Sequence, residues 1–182
     1  MGLVQMTLYS LFRALSTSQT RYRVYLSYFE IYNEQIFDLL RENKGSKSRR
    51  DDTGNKPLEL LTDKDKKNII QDLTEVQCKG WKDALKVFQQ GETQRKFSST
   101  EMNHNSSRSH VVFQIRIDLR MLQKSIIRKC PKIMLLDLAG SESLKRVGLD
   151  SKKQVKESAN INKSLLALTR IISQLNRVRD LF

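Results

Sequence analysis

No apolar run in this 182-residue chain approaches membrane-spanning length, and its N-terminus lacks a charged start followed by a long apolar core. Those absences argue against a spanning helix and a secretory leader among these residues. Cysteine is scarce: Cys78 and Cys130 stand far apart and match no metal or redox spacing, which predicts two free thiols. No stretch reads G-x-x-x-x-G-K-[ST], so the backbone cradle that holds nucleotide phosphates is missing. Gly45-Ser-Lys-Ser48 imitates its end only. The first glycine is absent and no apolar strand leads into it, so a solvated loop is expected there. Met1-Gly2 lacks the Ser or Thr at position 6 that a myristoylation start wants. There is no internal repeat and no domain boundary.

Positive charge is abundant. Thirty-three Lys and Arg against 20 Asp and Glu leave a formal charge of +13. Hydrophobic residues at 38% and charged residues at 29% describe one globular domain with a sizeable core. The runs 44–50 and 63–67 read as wet loops. Lys145, Arg146, Lys152, Lys153 and Lys156 form a third run, just before a helical pattern, and favour an acidic partner. Nucleic acid is disfavoured as that partner. Tyr22, Tyr25, Tyr28, Phe29 and Tyr32 fall within an apolar strand and its extension rather than between exposed basic residues as stacking platforms.

Periodicity organises the rest. Val4, Leu8, Leu11 and Leu15 mark a helix ending before Ser16. Tyr22, Val24, Leu26 and Tyr28 alternate as a strand, and 58–61 and 69–76 suggest further short strands. Trp81, Ala84, Leu85 and Phe88 make a helical face for which Gly91 is a plausible stop. Val111 to Leu119 alternate as a half-buried strand. Ile133 to Leu136 are continuously apolar, as in a central strand buried on both faces. Ile161, Leu165, Leu168, Ile172 and Leu175 mark a core-packed helix; two heptads are too few for a coiled coil. Helices alternating with strands predict an α/β fold, a wound sheet with ligands at the carboxyl ends of its strands.

Two stretches carry chemistry. Asn103-His-Asn-Ser-Ser-Arg-Ser-His110 offers amide, hydroxyl and guanidinium groups suited to a terminal phosphate and its magnesium. Asp137-Leu-Ala-Gly-Ser-Glu142 places an Asp, then a Gly, at the mouth of an apolar strand. There a carboxylate can hold a metal-bound water and a backbone N–H can approach a γ-phosphate. His104 and His110 have no carboxylate or thiolate at ligand spacing, so metal ligation by either is not expected.

These two stretches resemble the switch motifs of the kinesin motor head. Gly2-Leu-Val, Tyr28-Phe-Glu-Ile-Tyr-Asn-Glu34, Asp38-Leu-Leu40, Thr100-Glu-Met-Asn103 and Asn160-Ile-Asn-Lys-Ser-Leu165 follow in the family's order over nearly the whole chain. The resemblance implies a three-layer wound mixed sheet with helices on both faces. It makes residues 1–182 a single partial head, from after the phosphate loop through the switch-II helix. It implies ATP and Mg2+ as ligands of a complete head, microtubules as partner, a cytoplasmic, microtubule-bound location, and no nucleic acid or membrane insertion. By position, Asn103, Ser106 and Ser107 lie near the γ-phosphate and magnesium, and Asp137 holds a magnesium-bound water. Gly140 senses the γ-phosphate, and Arg108 and Glu142 close as a salt bridge between the switches. Lys145, Arg146, Lys152, Lys153, Lys156 and Lys163 face the microtubule. Ser143, Ser151 and Thr169 depart from residues usual in the family, but none removes the chemistry. Two functions stay open: a motor ATPase head fragment, or a microtubule-binding module without catalysis.

Overall fold

A computed structural model describes residues 2–18, 21–41, 56–62, 68–101, 109–120, 130–140, 163–171 and 173–174, with the side chains of 97–101 and 120 left undescribed. Along the chain come α1 (Leu3–Ser16), β1 (Arg21–Tyr32), β2 (Gln35–Asp38), β3 (Leu60–Thr62), β4 (Asn68–Ile70), β5 (Val76–Cys78), α2 (Trp81–Glu101), β6 (His110–Arg120) and β7 (Lys132–Asp137). Residues 163–171 and 173–174 are helical and are designated α3. No helix among the described residues is long and apolar enough to cross a membrane.

The main sheet runs β2-β1-β6-β7, with β5 also on β1, and β3 and β4 form a separate hairpin. Every strand pairing among the described residues is antiparallel. β1 and β6 are its spine, paired from Arg21↔Arg120 to Ile31↔His110. Side chains alternate across a strand, so Val24, Leu26 and Tyr28 share a face with Ile117, Ile115 and Phe113. Onto that face pack Leu8 and Phe12 of α1 and Ala84 and Phe88 of α2. The opposite face of β6 carries His110, which meets α3 through Ser164. Helices therefore lie on both faces, in three layers.

Three expectations change. Gly91 does not end a helix: α2 runs through it to Glu101. Gly91 instead makes room for the Tyr28 ring, and a Cβ there would overlap the ring, lying 2.8 Å from Cε1. The half-buried strand is in fact β6, buried on both faces, with Val112, Gln114 and Asp118 as covered as Val111 and Phe113. Neighbours on both edges, β1 and β7, place it centrally. The strand expected at the centre, β7, is an edge among the described residues, with Met134 49% and Leu136 51% exposed. One described neighbour and one covered face account for that. Neither cysteine is in a disulfide, as expected, and burial pushes the Cys78 thiol up to about 11.

Gly91→Ala tests the packing. Phe88 and Phe113 sit against the Tyr28 ring, with centroids 5.6 and 5.4 Å away, so the ring has little room to retreat. Overpacking should cost about 1–3 kcal/mol, against roughly 1 kcal/mol gained from helix propensity. A lower thermal midpoint than the unsubstituted chain is expected. A raised midpoint would mean that the ring is not held.

Candidate functional site

The register of β6 against β7 assembles the site. Val111 lies opposite Asp137, so the start of β6 stands beside the carboxyl end of β7. Segment 103–108 leads into the first strand and segment 138–142 leads out of the second. His110, the last residue of the first motif, and Asp137, the first of the second, thus stand at the same end of the sheet.

Asp137 ends β7 with its side chain 70% exposed, and its Oδ2 accepts a hydrogen bond from Arg95 Nη1 at 3.2 Å. Arg95 reaches it from α2, one helical turn beyond Glu92, whose carboxylate lies 4.0 Å from the same guanidinium nitrogen. Glu92 in turn accepts a hydrogen bond from the Tyr28 hydroxyl. Burial, and next the hydrogen bond to Glu92, push the Tyr28 phenol well above its usual pKa. It therefore stays a donor. This line of groups couples the sheet interior to the strand end through α2. Arg95 is only 15% exposed, and its Nε is buried without a partner.

On the other side of the same strand end stands His110, 8% exposed. Its Nδ1 accepts the Ala139 backbone N–H at 3.0 Å, and its Nε2 lies 2.6 Å from Ser164 Oγ on α3. Burial lowers its pKa. Beside it, Ser109 Oγ is buried without a partner. The preceding residue of α3, Lys163, pairs with Glu34 Oε1 at 2.6 Å. Glu34 sits in the β1–β2 turn, where Asn33 and Glu34 both hold positive φ, 50° and 63°. That suits a tight hairpin, although glycine is the usual residue at the second position.

Of the residues singled out from sequence, Asp137 and Gly140 lie together at this strand end. Lys163 is exposed on α3 but engaged with Glu34. Asn103, Ser106, Ser107, Arg108, Glu142, Lys145, Arg146, Lys152, Lys153 and Lys156 lie outside the described residues. Sequence reasoning missed Arg95, Glu92, Tyr28 and Ser164, and weighed His110 only as a metal ligand. Glu92 and Arg95, three apart on a helix, were a visible i,i+3 pair. No pattern pointed across 42 residues to Asp137.

The donor set suits a hard cation held sparingly. No group of three or more His, Cys, Asp or Glu able to cage a metal occurs among the described residues. Mg2+ needs none, since it keeps several waters and binds through one or two carboxylates and phosphate oxygens. Asp137, exposed and acceptor-only, offers one such carboxylate.

The kinesin motor domain model matches residues 1–181. The kinesin-like protein Klp61F of Drosophila melanogaster is 36% identical over 178 residues, covering 96% of this chain and 16% of its own length. The kinesin-like protein KIF11 of Xenopus tropicalis is 38% identical, with the same coverages of 96% and 16%. A solved fast kinesin superposes with a TM-score of 0.73 at 28% identity, over 88% of this chain and 42% of that one. A KIF14 dimer with both heads bound, carrying AMP-PNP and in complex with a microtubule, gives 0.76 at 28% identity. That match covers 98% of this chain and 50% of the other.

Proposed function

This chain belongs to the kinesin motor-domain family, and from that premise we propose that residues 1–182 are a single partial head of a microtubule-based ATPase. In the complete head, ATP hydrolysis drives movement along cytoplasmic microtubules. The observation that carries this reading is the Val111↔Asp137 register, which brings the ends of both switch-like motifs to one place.

Within it, Asn103, Ser106 and Ser107 would help to hold the γ-phosphate and Mg2+, and Asp137 would help to hold Mg2+ through water. Gly140 offers its backbone N–H to the γ-phosphate, and Arg108 pairs with Glu142. Arg95 holds the Asp137 carboxylate in place and offsets its charge. When bound, the nucleotide supplies the transferable phosphoryl group and Mg2+ neutralises charge developing on it. The lack of a G-x-x-x-x-G-K-[ST] stretch in these residues supports the second reading, a microtubule-binding module without catalysis of its own.

Both readings call for a basic face, to which Lys145, Arg146, Lys152, Lys153, Lys156 and Lys163 would contribute. Binding of the chain to pelleted microtubules should weaken steeply as salt rises. Replacing Lys152, Lys153 and Lys156 together by Glu should weaken it further, by about tenfold or more. Binding indifferent to both salt and charge reversal would remove the proposed face.

A further inference from the structure

His110 holds two elements at once. Its backbone is fixed in the sheet, opposite Ile31 of β1. Its ring is a flat, rigid plate with a nitrogen on each side. Nδ1 takes the N–H of Ala139, a residue 5% exposed that directly precedes Gly140. Nε2 lies 2.6 Å from the Ser164 hydroxyl.

A backbone N–H can only donate, so Nδ1 must carry no proton. The single proton of the neutral ring then sits on Nε2 and is donated to Ser164 Oγ. An imidazolium could not accept from Ala139 and would leave a buried N–H unpaired. Burial already opposes that charged form. Lys163, the neighbouring residue of α3, is tied to the β1–β2 turn, so α3 is held at two adjacent residues.

We propose that His110 is a positioning residue that ties segment 137–140 to α3, so that a shift of either is transmitted to the other through one imidazole ring. The inference rests on the motor-domain reading of those two elements, and gives that reading a specific mechanical link. The link is the Ala139 N–H, the His110 ring and the Ser164 hydroxyl, in that order.

Nitrogen-15 NMR of the 182-residue chain reads the tautomer without any substitution. A proton on Nε2 and none on Nδ1 is expected at neutral pH; a proton on Nδ1 overturns the proposal. Ser164→Ala removes only the helix arm and does not touch Ala139. Hydrogen exchange at the Ala139 amide should nonetheless speed up roughly 2- to 10-fold, the equivalent of one net hydrogen bond. Ser164→Thr keeps a hydroxyl and should stay near the unsubstituted rate. Exchange unchanged in Ser164→Ala, or equal in the Ala and Thr variants, would reduce His110 to a local prop for Ala139. Failure of the chain to pellet with microtubules would leave these readouts unaltered, so the two proposals fail separately.

Discussion

ATP turnover by the 182-residue chain is expected to lie at least about 10²–10³-fold below that of a polypeptide carrying the same residues behind a G-x-x-x-x-G-K-[ST] loop and its strand. That factor is the usual loss for a single preorganised donor at a reacting group. Here the whole set of backbone N–H groups and the Lys that grip the β- and γ-phosphates has no counterpart in the sequence. On the proposed reading, Asp137, held by Arg95, would orient a metal-bound water, and Gly140 would sense a phosphate. Neither can immobilise the nucleotide that brings the phosphate there. Microtubule-stimulated phosphate release decides the matter. Release from the chain alone approaching that of the loop-bearing polypeptide would show that the switch segments suffice.

In such a loop-bearing head, Arg108→Ala and Glu142→Ala are expected to give similar losses of turnover that do not add. The two residues belong to segments entering and leaving adjacent strands whose register sets Val111 against Asp137. Opposite charges on two such segments would be able to close as a pair. If closure buries them, removing one strands the other, at about 3–5 kcal/mol, or roughly 10²–10³-fold or more in rate. An exposed pair would contribute less than about 1 kcal/mol. A double-mutant cycle on microtubule-stimulated turnover separates these cases. Additive losses would mean that the residues act independently.

Much of the architecture was legible from local pattern. Val4, Leu8, Leu11 and Leu15 gave α1 nearly to its last residue, Ser16. Alternation gave β1 and β6, and the Ile133–Leu136 run gave β7. Asp137 was placed at a strand's carboxyl end, and the structure puts it there. Gly91 misled because a glycine's role depends on what faces it. The same residue that stops one helix lets an aromatic ring approach another. Burial of β6 and β7 was exchanged because alternation and continuity describe a strand's own side chains, not how many neighbours it acquires.

Side-chain period and functional groups are local properties, so the element types and the chemistry offered by Asn103 to His110 and Asp137 to Glu142 were readable along the chain. Which groups meet one another was not readable there and came from the packing of distant segments. Arg95 finds Asp137 across 42 residues, and His110 finds Ala139 and Ser164 across 29 and 54. Each meeting depends on strand register and helix placement. A one-residue slip of β6 against β7 would turn His110 to the other face, with the sequence unchanged. Those contacts are set by the packing of α1 and α2 on one side and α3 on the other, a sum over many residues that no short motif records.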